Sequence, residues 1–146
     1  MSFQRLQIAQ KVAHRIQTNK ISRRQYIQEL ENGKLVVSSF GYGEIALKDL
    51  EVFLTGGLLL KPDMSHLETW PDLFRAGETM VSHRWDLVDF EAVIDCVLED
   101  YSTYIEIART GQRTYRSHLT NPELFVIHLT TLLASSHGKV PRLLEA

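Results

Sequence analysis

Phe90, Ile94, Val97, Tyr101, Ile105 and Ala108 recur at steps of 4, 3, 4, 4 and 3, which lays one apolar stripe along a helix of about six turns between Trp85 and Arg109. Asp86 stands at the capping position, Asp89 follows three residues on, and Trp85 and Phe90 take the places of a hydrophobic staple, so the helix is predicted from Asp86 to Arg109. Glu91, Asp95 and Glu99, four apart, form an acidic stripe on another face. The remaining elements are expected to pack along this helix.

Upstream, Leu6, Ala9, Val12, Ala13 and Ile16 predict an amphipathic helix between Gln4 and Thr18. Ser22 and Gln25 form a capping box that opens a second, short helix with Tyr26, Ile27 and Leu30 on its apolar side, and Gly33 is expected to end it in the left-handed conformation. Leu35 to Val37 reads as a short strand or extended connection, followed by the Gly41-Tyr42-Gly43 break. Ala46, Leu47, Leu50, Phe53 and Leu54 resume helical spacing until Gly56-Gly57, and Lys61-Pro62-Asp63 reads as a turn. A second capping box, Ser65 with Glu68, and the start signal Thr69-Trp70-Pro71-Asp72 predict short helical turns between Met64 and Ala76. A polar connection is expected after Gly111, until Asn121 caps and Pro122 opens a last helix. Leu124, Phe125, Ile127, Leu129, Leu132 and Leu133 surround much of that helix, which predicts a buried central element over 122–135 packed on the long one.

The fold class implied is mainly α: one compact helical domain over 1–146, with a helix-turn-helix-like head at 1–34, a core at 35–138, a tail at 139–146 and at most a minor β element near Leu35 to Leu47. A chain of 146 residues with 44% hydrophobic composition can bury one real core. No apolar run approaches the roughly 18–20 residues of a membrane span. The charged first twenty positions carry no secretory signal, so a cytoplasmic location is the expectation. Cys96 is expected to be a buried, structural residue of the long helix.

The net charge of −2 hides an uneven distribution. Met1 to Lys34 holds seven Lys and Arg against two acids, Leu35 to Asp100 holds four against thirteen, and the remainder holds five against three. A basic head beside an acidic middle suits either a nucleic-acid face or surfaces that attract each other.

Four constellations bear on chemistry. Ser22, Arg23, Arg24, Gln25 and Gln28 supply the side chains that reach phosphates and base edges, with Lys11 and Arg15 on the preceding helix. The run Ser22 to Lys34 resembles the third helix and exit turn of phage-repressor-type helix-turn-helix proteins, and that resemblance implies that Arg23, Arg24 and Gln25 touch DNA. The connection before it is about four residues longer than the tight turn of that family. Arg109, Arg113, Tyr115, Arg116 and His118 suit phosphate binding, or salt bridges to neighbouring acids such as Glu106.

Gly41-Tyr42-Gly43-Glu44-Ile45-Ala46, with Asp63 some twenty residues on, matches a dinucleotide fingerprint in spacing. That reading requires Leu35–Val37 and Leu58–Leu60 to be adjacent parallel strands, and glycines serving a turn are the simpler account. No metal motif and no nucleophile elbow occurs, and His128 reads as a core histidine. The expectation is therefore a small non-catalytic regulatory protein, without cofactor or metal, that contacts DNA or RNA through Lys11, Arg15, Arg23, Arg24 and Gln25, joined by Arg113 and Arg116. The alternative is a helical adaptor or assembly factor acting on a protein partner. Self-association as a dimer suits both.

Overall fold

A computed structural model describes residues 3–15 and 19–137. In chain order the elements are α1 (Phe3–Val12), α2 (Arg23–Asn32), β1 (Leu35–Val37), α3 (Leu47–Thr55), β2 (Leu58–Pro62), β3 (Val81–His83), α4 (Phe90–Glu99), α5 (Tyr101–Thr120) and α6 (Glu123–His137). Helix dominates, as the apolar spacing predicts, but the centre of the fold is a parallel three-stranded sheet in the order β1-β2-β3. Leu35 pairs with Leu58 and Val37 with Leu60, while Leu60 pairs with Val81 and Pro62 with His83. The chain divides into two compact units, Met1–Tyr115 and Arg116–Ala146, and the sheet belongs to the first.

Alternation along the strands sends side chains to two cores. Leu58, Leu60 and Val81 join Ile8 and Val12 of α1, Phe90, Ile94 and Val97 of α4, and Ala108 of α5. Leu59 and Met80 join Leu30 of α2 and Val52 and Phe53 of α3. With both faces covered, β2 has no polar alternation, and Leu58, Leu59 and Leu60 are all fully buried. A triple leucine in five residues is how such a strand reads, so the turn expected at Lys61-Pro62-Asp63 begins two residues too early.

The same partition separates α1 from α2. They lie against opposite faces of the sheet and do not form a helix-turn-helix pair. The capping box at Ser22 and Gln25 is present, with both reciprocal hydrogen bonds. Gly33 ends α2 at φ −76°, not in the left-handed region. Its small size matters instead, because a Cβ there would stand 2.6 Å from the Glu29 carbonyl oxygen. Helix α1 is described to Val12, and Ile16 to Thr18 of the predicted first helix lie outside the described residues, as does the tail 139–146.

The single helix expected over 86–109 is two. Helix α4 begins at Phe90 and stops at Asp100, whose φ of −135° and ψ of 66° interrupt the helix. The Asp100 carboxylate accepts hydrogen bonds from the Ser102 and Thr103 hydroxyls, the latter at 2.5 Å, which starts α5. Helix α5 then runs through the stretch predicted to be a polar connection. Gly111, after which the polar connection is expected, is a buried contact point inside it. Between β2 and β3 the expected helical turns are absent. Asp63 Oδ1 accepts the Ser65 backbone N–H at 2.7 Å, so the chain turns there without opening a helix.

Candidate functional site

Lys11 belongs to α1 and Arg23 and Arg24 to α2, helices packed into different cores on opposite faces of the sheet, so these basic residues are not brought together. Arg15 makes a two-pronged contact with Asp95, at 2.5 and 3.3 Å, and Lys11 Nζ lies 3.5 Å from Glu91. Glu91 and Asp95 of the acidic stripe on α4 thus hold Lys11 of α1 and Arg15 of the turn after it. Arg15 also borders an apolar cavity of about 150 Å³ lined by Val12, Leu35, Val37, Ile94 and Leu98. Gln25 is occupied by the capping box, whereas Arg23 and Arg24 are side by side and exposed at the start of α2. Arg113 lies 3.7 Å from Glu106, which also pairs with Arg109 at 2.6 Å. Arg116 is exposed and belongs to the second unit.

The carboxyl ends of the three parallel strands converge on one edge of the sheet, the edge at which open parallel sheets hold ligands. Lys61 of β2 and Asp49 of α3 are fully buried there, 2.9 Å apart, and Asp49 Oδ1 has no hydrogen-bond partner among the described residues. The ammonium lies 5.3 Å from the Phe40 ring centre and 6.0 Å from that of Phe74. On the other face of the sheet, His83 is buried with Nδ1 2.9 Å from the Arg84 carbonyl oxygen. A carbonyl only accepts, so Nδ1 carries the proton, and Nε2, which has no hydrogen-bond partner among the described residues, keeps a bare lone pair. Burial lowers the His83 pKa below the ordinary imidazole value, against the upward pull of the Arg84 contact and of Asp89. Lys48 is lowered too, first by burial, and donates to the Val37 carbonyl at 3.0 Å.

Above this edge Trp85 is half-exposed, packed edge-on against Phe40 and His66 and donating its indole N–H to the Asp63 carbonyl at 2.7 Å. Nothing in the spacing of Asp49 and Lys61 shows that they meet, and nothing in the sequence marks His83 as buried. The one available signal is a lysine closing a run of three leucines, since an ammonium at a core position requires a buried partner.

The strand condition for the dinucleotide fingerprint is met: β1 and β2 are adjacent and parallel, and Asp63 directly follows β2. The phosphate cradle is not there. Nine residues separate β1 from α3, and a Cβ on Gly41 or Gly43 would meet nothing within 4 Å. The N-terminus of α3, where a pyrophosphate would rest, is taken by the Asp49 carboxylate, whose Oδ2 accepts the Ala46 N–H at 2.9 Å. These residues do not fit a dinucleotide. Among the described residues no group of three or more His, Cys, Asp or Glu is placed to hold a metal ion.

In the second unit, α6 departs most from expectation. Phe125, Val126, Ile127, Leu129, Leu132 and Leu133 are 42–60% exposed, so the helix is not a buried central element. His128 is half-buried rather than a core residue, and Cys96, on α4 in the first unit, is exposed. No helix among the described residues is long and apolar enough to cross a membrane. No family model, curated protein or solved structure matches the chain.

Proposed function

We propose that the chain is a non-catalytic interaction protein, a helical adaptor or assembly factor that holds a partner helix against α6. The observation that carries this reading is the exposure of six large apolar side chains on one fifteen-residue helix. Burying each large aliphatic side chain is worth roughly 1.5–3 kcal/mol, so leaving this many half in water is a cost that a docked partner would remove. Placing a photocrosslinking residue at Leu129 in the full chain, in cells, tests it. A protein adduct that disappears with Leu132→Lys supports the reading, and no adduct to any protein, this chain included, overturns it.

Nucleic-acid binding is the second reading, favoured by the exposed Arg23-Arg24 pair at a well-capped helix start. It draws on fewer residues than the sequence offers, because Lys11 and Arg15 already face Glu91 and Asp95. Anisotropy with duplex DNA and single-stranded RNA across a salt series decides it. Binding that falls with salt and is lost in Arg23→Ala/Arg24→Ala supports it, and no binding at low salt rejects it.

A further inference from the structure

Strand β1 stands at the edge of the sheet, with β2 on one side and no strand on the other. Leu58 donates its N–H to the Lys34 carbonyl and Ser38 donates its N–H to the Leu60 carbonyl, so positions 34, 36 and 38 face β2. Leu35 and Val37 therefore turn their backbone groups outward. The Val37 carbonyl accepts from the Lys48 ammonium at 3.0 Å, while the Leu35 N–H and carbonyl and the Val37 N–H have no hydrogen-bond partner among the described residues. The same two residues, with Val12, Ile94 and Leu98, line the apolar cavity of about 150 Å³. A dry cavity of that size holds about one benzene ring, the bulk of a leucine or phenylalanine side chain. Both ends of the strand carry charge: Lys34, exposed, immediately precedes it, with its ammonium 5.4 Å from the Tyr101 ring centre, and Lys48 reaches the far end. Neither forms an ion pair among the described residues, whereas Lys11 and Arg15 each have an acid.

We propose that β1 receives an extended acidic segment of a partner protein as a fourth strand, with one apolar side chain of that segment in the cavity beside Leu35 and Val37. Open backbone groups on a strand edge are satisfied by water or by another extended backbone, and only the backbone also brings a side chain to the cavity. Side chains alternate along an added strand, so the residue on the cavity's face inserts and its two neighbours do not. Ammonium groups without acids at both ends of β1 select carboxylates on either side of that residue and reject a basic segment. They also disfavour a second copy of β1, because an antiparallel twofold pair would set Lys34 of each copy beside Lys48 of the other. An edge of three residues gives a transient complex, with a Kd on the order of tens to hundreds of micromolar. Only the first unit takes part, so this docking and the one on α6 stand or fall separately.

The probe is a fluorescein-labelled peptide with two aspartates at each end of Thr-Leu-Thr, titrated with the full chain by anisotropy and followed by amide exchange. Binding is expected to weaken about 5-fold or more when alanine replaces the central leucine, and about 10-fold or more when lysines replace the aspartates. It should slow exchange of the Leu35 and Val37 N–H groups and leave that of Val36, whose N–H faces β2, unchanged. Val37→Pro removes the outward donor and no bond to β2, a change that edge strands tolerate, and should weaken binding about 5-fold or more. Should that variant fail to fold, Lys34→Glu at the exposed end answers instead, with an expected loss of about 3-fold or more. No binding up to about 1 mM peptide overturns the proposal. So does binding that is indifferent to the central leucine, or that leaves Leu35 and Val37 unprotected. Protection of those two N–H groups that grows with protein concentration in the absence of peptide assigns the edge to a second copy and overturns it as well.

Discussion

Lys61 Nζ and Asp49 Oδ2 stand 2.9 Å apart with neither side chain touching water. The contact joins β2 to the first turn of α3, because the same carboxylate oxygen also accepts the Ala46 N–H. Each of two ions taken out of water finds its counter-charge in the other, so removing one leaves the other buried and unneutralised. Asp49→Ala and Lys61→Ala are each expected to cost about 3–5 kcal/mol, while Asp49→Leu/Lys61→Met should cost well under the sum of the two. Urea unfolding of the four proteins measures this. Single losses below about 1 kcal/mol would mean that the pair is hydrated.

His83 supplies a pH dependence whose sign is determined by its burial. Its folded pKa lies below the unfolded value of about 6.5, so the unfolded chain takes up the proton first as pH falls. The stability it contributes is complete above about pH 6.5 and is lost as pH drops towards the folded pKa. The melting temperature is therefore expected to fall between pH 7.5 and 5.5, and His83→Gln should flatten that slope. Asp63, Asp95 and Asp100, whose pKa values are lowered, and Asp86, held at about 2 first by its Arg84 contact, lose their contributions only below about pH 4. The His83 window opens more than two pH units above the carboxylate one. A wild-type slope that survives in His83→Gln would assign the titration elsewhere.

How much of this was legible follows from the range of each signal. The Ser22–Gln25 cap and the apolar side of α1 are local and read directly. Leu35–Val37 is recognisable as extended because all three of its residues are aliphatic, whereas β3, equally short, offers one aliphatic residue in Val81-Ser82-His83 and no pattern that separates strand from loop. The break at Asp100 was hidden because Tyr101 continues the apolar spacing of α4 into α5. Gly111 misled for the opposite reason, since a glycine kept for close approach looks the same in sequence as one kept for a turn. In α6, apolar content predicts that a surface must be covered and says nothing about whether this chain does the covering. The Asp49–Lys61 pair is a long-range relationship between two elements, and no spacing rule reaches it.

Helix α1 is anchored in two ways that can be separated. The pairs Lys11 with Glu91 and, in the turn just after α1, Arg15 with Asp95 are screened by salt, whereas Ile8 and Val12 are buried in the core shared with α4. Apolar burial should dominate. Ile8→Ala is expected to cost about 2–4 kcal/mol, and Arg15→Ala to change stability little while speeding amide exchange along α1 at low salt. Exchange measured at two ionic strengths checks this. A larger loss of stability from Arg15→Ala than from Ile8→Ala would reverse the order of the two anchors.

Gly111 offers a test in which helix propensity and packing oppose each other. It lies inside α5, where alanine in place of glycine ordinarily adds about 1 kcal/mol of stability. Here a Cβ would stand 2.7 Å from the Thr79 carbonyl oxygen and 2.9 Å from two carbons of the Phe53 ring. Thr79 is pinned by its own hydroxyl, which donates to the Leu73 carbonyl at 2.6 Å, and Phe53 is fully buried and packed edge-on against Phe74. Neither neighbour can withdraw without disturbing the core beneath α2 and α3, so overpacking should win. Gly111→Ala is expected to lower stability by roughly 1–3 kcal/mol after the gain in propensity, and Gly111→Val by more. Chemical denaturation supplies the measurement. Stabilisation by Gly111→Ala would show that α5 does not lie as closely on Thr79 and Phe53 as the glycine permits.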